Sequence, residues 1–183
     1  MNPCASMPRP AAGDAARADA LQVRPLRANE GARLKAFFGG LSPAVRRSRF
    51  HGAVKELPAA WIEHMTRPDP RTEVALLAEA CEDGQVRPVG EARYVADGAP
   101  PGTRELAIVV ADGWQGRGIG LTLLQLLEQA ARRHGVRQLY GDVQRGNLAM
   151  LALAGRAGYR THRHPSDATL VRIVKDVDAT ADH

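Results

Sequence analysis

The chain has 183 residues, a formal net charge of +5 and an apolar fraction of 44%. That length suits one domain with a single core, since domains run to about 100–200 residues. There is no run of about 18 apolar residues to span a membrane, no basic-then-apolar secretory signal, and no basic patch of the kind nucleic acid requires.

Positions 1–20 are rich in Ala and Pro with little to bury, and are expected to form a disordered tail. Leu21 to Leu26 alternates apolar and polar residues, as a first strand does. Asn29 offers an N-cap for a helix through Phe38, closed by Gly39-Gly40. Ser42-Pro43 opens a second helix toward Phe50, and Pro58 to His64 predicts a short third. Glu73 to Cys81 is an apolar strand, Asp83-Gly84 a hairpin turn, and Val86 to Ala96 a return strand interrupted by Pro88. Asp97 to Gly102 is a loop.

Leu106 to Ala111 then reads as a buried strand, followed by a glycine-spaced turn from Gln115 to Gly120. Beyond it Ile119, Leu123, Leu126, Leu127, Ala130 and Ala131 share one face of a helix that Gly135 stops. Gln138 to Val143 is another strand, Asn147 begins a helix through Arg156, Gly158-Tyr159 opens a sixth strand, and Ala168 to Lys175 makes a last one. The domain is expected over 21–176, with 177–183 as a C-terminal tail. Cys4 and Cys81 stand in unlike contexts, so the sequence predicts no disulfide framework, a small core role for Cys81 and a cytoplasmic location.

Strand, glycine turn and helix together aim free backbone N–H groups and a positive helix end at an anion. The dinucleotide fingerprint fails, because Leu121 stands where its third Gly or Ala belongs. A Walker loop fails too, for want of a closing Gly-Lys-Ser/Thr. The segment Gln115-Gly-Arg-Gly118-Ile-Gly120 resembles the Gln/Arg-x-x-Gly-x-Gly/Ala motif of the GNAT superfamily of acyl-CoA-dependent N-acyltransferases. The likeness extends over roughly Val23 to Val174. It is greatest to the acetyltransferase domain of bacterial Pat-type protein lysine acetyltransferases, through Leu41 to Phe50 and Glu105 to Gly120. Those larger proteins also carry a nucleotide-binding region, so their full regulation is not expected here.

The resemblance implies an α/β protein of the GNAT fold, an α+β mixed sheet of six to seven strands flanked by about four or five helices. It implies acetyl-CoA as cosubstrate, no metal, and transfer of an acetyl group to a primary amine of a protein lysine or a small molecule. The loop residues Gln115, Gly116, Arg117, Gly118, Ile119 and Gly120 would hold the coenzyme A pyrophosphate. Backbone N–H groups around Ile108, Val109 and Val110 would meet pantetheine and the oxyanion, and Asn147 would contact the cofactor or cap its helix.

Glu105 is the expected general base; it lies five residues before Val110, about 17 Å at strand rise, where the thioester end would reach. Alternation puts Glu105, Ala107 and Val109 on one face.

One departure stands out. Many GNAT enzymes have a tyrosine at the position of Ala154 as the acid for the thiolate. Tyr159 reads as packing, with Tyr140 and Tyr94 as outside candidates for that acid. His162-x-His164 lacks a third ligand and reads as a solvated loop. The missing tyrosine supports an alternative, a catalytically weak acyl-CoA-binding regulatory module. No nucleic-acid or membrane partner is expected, and a homodimer is left open.

Overall fold

The computed structural model describes residues 21–177 apart from positions 53, 70, 83 and 97. The expected tail at 1–20, positions 178–183 of the expected tail at 177–183, Cys4, Asp83 and Asp97 lie outside the described residues. Seven strands form one sheet: β1 (Leu21–Pro25), β2 (Val74–Glu82), β3 (Gln85–Val95), β4 (Thr103–Val110), β5 (Gln138–Gln144), β6 (Arg160–Arg163) and β7 (Leu170–Asp176). Their order is β1-β2-β3-β4-β5-β7-β6. Only β4 and β5 run parallel; every other neighbouring pair is antiparallel. The five α-helices are α1 (Gly31–Gly40), α2 (Pro43–Phe50), α3 (Ala59–Thr66), α4 (Ile119–Arg133) and α5 (Leu148–Arg156).

Local chemistry explains most boundaries. Ser42 caps α2 as expected, its Oγ accepting the Val45 N–H at 3.2 Å. Helix α1 begins one residue late because Glu30 takes the cap position from Asn29. The Glu30 C=O accepts the Leu34 N–H at 2.9 Å, while its carboxylate turns back to Arg24 and the Arg27 N–H. Pro88 does not end β3. The β2–β3 register slips there, with Ala78 opposite Gly90 and Glu79 opposite Pro88, and the bulge absorbs the missing N–H. The sixth strand starts at Arg160 rather than Gly158, because Gly158 is left-handed at φ 83° and the Tyr159 N–H bonds Ala154 C=O at 2.9 Å.

The sheet carries a core on each face. Helix α4 lays Ile119, Leu123, Leu124, Leu127 and Ala131 on one, against Leu106, Ala92 and Tyr94. Helices α1 and α3 lay Leu34, Phe37, Phe38 and Ile62 on the other, against Leu77 and Val109. Strand alternation thus sends Leu106 and Val109 to opposite faces.

Val177, just past β7, is buried. One expectation needs correction. Cys81 is half-buried and disulfide-bonded, not an unpaired core thiol, so cysteine usage no longer argues for a reducing compartment. Among the described residues no helix is long and apolar enough to cross a membrane.

Under β1 the Arg24 guanidinium bridges Glu79 at 2.7 Å and Glu30 at 2.6 Å, joining the sheet edge to α1. Bonding to Arg24, with help from the Arg27 N–H and Arg33, outweighs burial and holds the Glu30 carboxyl at about 2 instead of 4.5. A carboxyl depressed on folding stabilises above its unfolded pKa and loses that contribution as pH falls through the folded one. Glu30→Gln should therefore cost about 2 kcal/mol at neutral pH. It should also flatten the loss of stability between pH 4.5 and about 2. Urea unfolding of both proteins across that range is the measurement, and an unchanged acid limb would remove Glu30 from the account.

Candidate active site

Strands β4 and β5 pair over only three positions, from Thr103–Gln138 to Glu105–Tyr140. Past that point β3 still holds β4 as far as Val110, and β7 still holds β5 as far as Gln144. The two central strands therefore part at Glu105. Alternation fixes what faces the gap. The Ala111 N–H goes to Val89 C=O on β3 at 2.9 Å, and the Val109 C=O also lies on the β3 side. The Val110 C=O, on the other edge, accepts Gln115 Nε2 at 3.1 Å. Hence the N–H groups of Leu106, Ile108 and Val110 point into the gap, and that of Val109 points away from it. Such an unpaired strand edge can bind an extended, carbonyl-bearing chain or an oxyanion.

A cavity of about 890 Å³ fills the gap, within the range of small-molecule sites. It runs from Gln115, Gly116, Gly118 and Gly120 along Ile108, Val109 and Val110 to Glu105. Asn147 and Leu153 wall it on one side, Arg49 and His51 on the other. At its glycine end Gly116 and Gly118 have φ of 75° and 82°, which a β-carbon disfavours. A Cβ added at Gly118 would meet nothing within 4 Å. The first intrahelical bond of α4 is Thr122 N–H to Gly118 C=O at 3.1 Å. The N–H groups of Ile119, Gly120 and Leu121 therefore belong to the turn that lacks intrahelical acceptors, at the positive end of a 15-residue helix. The Arg117 guanidinium lies 4.5 Å over the Trp114 ring and adds a cation beside them. The turn is suited to an anion such as a pyrophosphate.

Glu105 stands at the other end, on the face covered by α2. Tyr140, its partner across the last β4–β5 pair, donates its phenol to Glu105 Oε2 at 3.4 Å. Burial, then the Glu105 charge, pushes that phenol up, so it stays protonated and donating at neutral pH. Arg172 covers the Tyr140 ring at 4.5 Å and forks onto Asp142 with two bonds of 2.8 Å. Burial would raise the Asp142 carboxyl, but Arg172 and His164 outweigh it and hold it low. His164 Nε2 lies 3.1 Å from Asp142 Oδ2, and its Nδ1 accepts the Ser166 and Asp167 N–H groups at 3.3 and 2.9 Å. Those acceptor bonds assign the proton to Nε2. His164 is thus a fixed member of the β6–β7 turn, not the solvated residue expected.

A second buried group lies beside Glu105. Glu91 and Arg93 on β3 sit opposite Val109 and Ala107, on the same face. Glu91, fully buried, accepts Arg93 Nε at 2.5 Å and Arg49 Nη2 from α2 at 3.2 Å. Burial would raise its carboxyl, and the two arginines hold it low instead. Charges at alternate positions of an otherwise apolar strand were the visible signal for Glu91 and Arg93. Nothing in the sequence pointed to Arg49 as their partner.

Each expected site residue has a definite place. Glu105, Ile108, Val109, Val110, Gln115, Gly116, Gly118, Gly120 and Asn147 line the one cavity. The Ile119 side chain is buried in the core under α4, which leaves only its backbone to the turn. Asn147 caps α5, its Oδ1 accepting the Met150 N–H at 3.1 Å. Ala154 is buried. Tyr159 packs beneath Lys175 and lies away from the cavity, as does Tyr94, whose hydroxyl meets His134 Nδ1 at 2.7 Å. No group of three or more metal-ligating side chains occurs among the described residues.

A mixed sheet parted between its parallel strands, with an anion turn at one end of the gap and a carboxylate at the other, is the architecture of an acyltransferase. The family model for Acetyltransferase (GNAT) matches residues 44–159, and the chain belongs to that family. It is 38% identical over 149 residues to Acetyltransferase PA5475 of Pseudomonas aeruginosa, covering 81% of this chain and 80% of that one. The GNAT domain of S. lividans PAT superposes with a TM-score of 0.77 at 28% identity, over 85% of this chain and 90% of that one. The yncA structure from Salmonella typhimurium, with acetyl-CoA as its cofactor, shares the fold with a TM-score of 0.66 at 18% identity, over 90% and 98%.

The close approach of β5 to Leu106, where the strands begin to part, depends on Gly141. A Cβ there would come within 3.1 Å of the Leu106 carbonyl oxygen and 3.3 Å of its side chain, on the first residue beyond the paired segment. Gly141→Ala should therefore destabilise the fold by about 1–3 kcal/mol, the usual cost of overpacking. Urea denaturation checks it, and a variant as stable as the parent would show that the contact with Leu106 relaxes at no cost.

Proposed function

We propose that this chain transfers an acetyl group from acetyl-CoA to a primary amine, with Glu105 as the group that takes the amine's proton. The observation that carries the reading is the single cavity joining the glycine turn to Glu105 along the parted edge of β4. In this reading the pyrophosphate lies on the N–H groups from Gly116 to Gly120 and the pantetheine runs along Ile108 and Val110. The gap-facing N–H groups of β4 meet the carbonyl oxygen as it becomes an oxyanion. That the yncA neighbour is described with acetyl-CoA supports the choice of donor.

The chemistry follows from the groups present. An alkylamine is protonated at neutral pH, with an unperturbed pKa of about 10.4, so it must lose a proton to attack. Glu105, directly or through one water, accepts it, and Tyr140 holds the carboxylate in place. The amine nitrogen bonds to the thioester carbon, the C–S bond breaks, and the thiolate leaves. Tyr159 and Tyr94 lie away from the cavity and position 154 carries alanine, so the thiolate takes its proton from the incoming amine or from water.

Glu105→Gln should lower kcat by roughly 10²-fold, the low end for loss of general-base help, with acetyl-CoA affinity near that of the parent. Steady-state kinetics across pH with an accepted amine, plus calorimetric titration of the cofactor, tests this. An unchanged kcat and pH profile would move the base elsewhere.

Gly118→Val should weaken acetyl-CoA binding by about tenfold or more, since a side chain would fill the open space of the turn. Its left-handed φ also disfavours valine, so circular dichroism accompanies the titration. Tight acetyl-CoA binding with no transfer to any amine would instead favour the weakly catalytic binding module.

A further inference from the structure

The α2 side of the cavity belongs to a buried ion group with one more positive charge than negative. Glu91, Arg49 and Arg93 form a buried trio of one carboxylate and two guanidiniums, with side chains no more than 9% exposed. The two arginines are used differently. Arg93 spends Nε on Glu91 and Nη2 on the Met65 carbonyl at 3.3 Å, and it does not line the cavity. Arg49 does line the cavity, bonds Glu91 through Nη2 at 3.2 Å, and has its Nε buried with no acceptor among the described residues. Its guanidinium carbon lies 5.0 Å from the Phe50 ring centre and 6.0 Å from that of Phe38, so it is positioned by these rings and by Glu91. The buried Nε cannot reach a ligand, so what Arg49 offers the cavity is the rest of its guanidinium, a fixed cation whose donors are not all spent on Glu91, which suits a carboxylate.

The nearby negative charge is Glu105, which Arg49 senses. In the reading above Glu105 receives the amine, so it cannot also serve as Arg49's permanent counter-ion while a cationic acceptor approaches. The two groups therefore give the cavity a negative post and a positive one, and the small Ala107, on the Glu105 face of β4, also lines it.

We infer that the acceptor is an amine carrying a carboxylate on the same small molecule, an amino acid, with its amine at Glu105 and its carboxylate on Arg49. The inference rests on the transferase reading. The product is the N-acetyl amino acid: N–C forms, C–S breaks, the amine's proton leaves through Glu105, and coenzyme A departs as its thiol. A peptide-chain lysine offers no carboxylate at this spacing and would leave Arg49 unmatched beside its own positive charge.

The test is coenzyme A thiol release from the full chain with matched acceptors. A set of amino acids is compared with their decarboxylated amines and with a peptide containing one internal lysine. The expected result is a kcat/KM at least about tenfold higher for an amino acid than for its decarboxylated twin, since a charge-assisted bond in a desolvated wall discriminates by that much or more. In Arg49→Lys, which keeps the charge but loses the fork, that ratio should collapse toward one. Should that variant not fold, the parent comparison decides alone. Decarboxylated amines or the peptide lysine accepted as well as the amino acids would overturn the inference and leave the transferase reading standing. No thiol release with any acceptor, together with no binding of acetyl-CoA, would overturn both.

Discussion

The separation of β4 from β5 after Glu105–Tyr140 is the constraint on which the rest of the site depends. A continuous parallel pair would satisfy the inner edge of β4 with the N–H and C=O groups of β5 and leave nothing to bind. Because each strand keeps its outer partner, β3 or β7, the sheet remains one body while its centre opens. The Leu106, Ile108 and Val110 N–H groups then form a row of directed donors on a rigid strand, and rigid elements hold such groups more accurately than loops do. The same parting fixes where the chemistry can lie. Glu105 is the last paired residue, where the gap begins, and the cavity continues from it to the glycine turn.

The surrounding charges follow from having to keep a carboxylate usable in a partly dry place. Glu105 is flanked by Tyr140, which donates to it, and by two groups of buried ions that settle most of their charge internally. The Asp142–Arg172–His164 set is anchored at both ends, with the histidine's Nδ1 fixed by the backbone of the β6–β7 turn. That leaves Arg172 free to cover the Tyr140 ring without competing for Glu105. A buried ion pair adds little stability by itself. Here the pairs are better understood as props, because each ends on a side chain that lines or borders the cavity.

Much of the fold was legible in the sequence because its punctuation is strong. Ser42-Pro43, Asn147 and Gly135 mark helix ends through capping and left-handed geometry, and the structure has them in those roles. The glycine turn was legible for the same reason, since its chemistry is local. What the sequence did not reveal is long-range. Periodicity says that 106–111 and 138–143 are strands but carries no information on where two strands cease to pair. The Arg49–Glu91–Arg93 trio joins segments 42 residues apart, and Arg49 sits in a run of arginines that reads as a solvated face. His164 misled for a related reason: its neighbours Pro165 and Ser166 read as loop, and the bonds that fix it come from that loop's own backbone. Asn29 lost its cap to Glu30 because Glu30's carboxylate was recruited by Arg24 from another element.

The two halves of the site are also joined directly. Asp112, in the short turn between β4 and the glycine loop, accepts the Ser42 N–H at 3.0 Å, and the Ser42 hydroxyl, then this N–H, hold its carboxyl low. Ser42 is the cap of α2, the helix that brings Arg49 to the cavity wall. One residue beyond that turn, Gln115 closes onto the Val110 carbonyl. The loop that would hold the phosphate end of a cofactor thus grips both the strand beneath the reacting carbonyl and the helix over the acceptor.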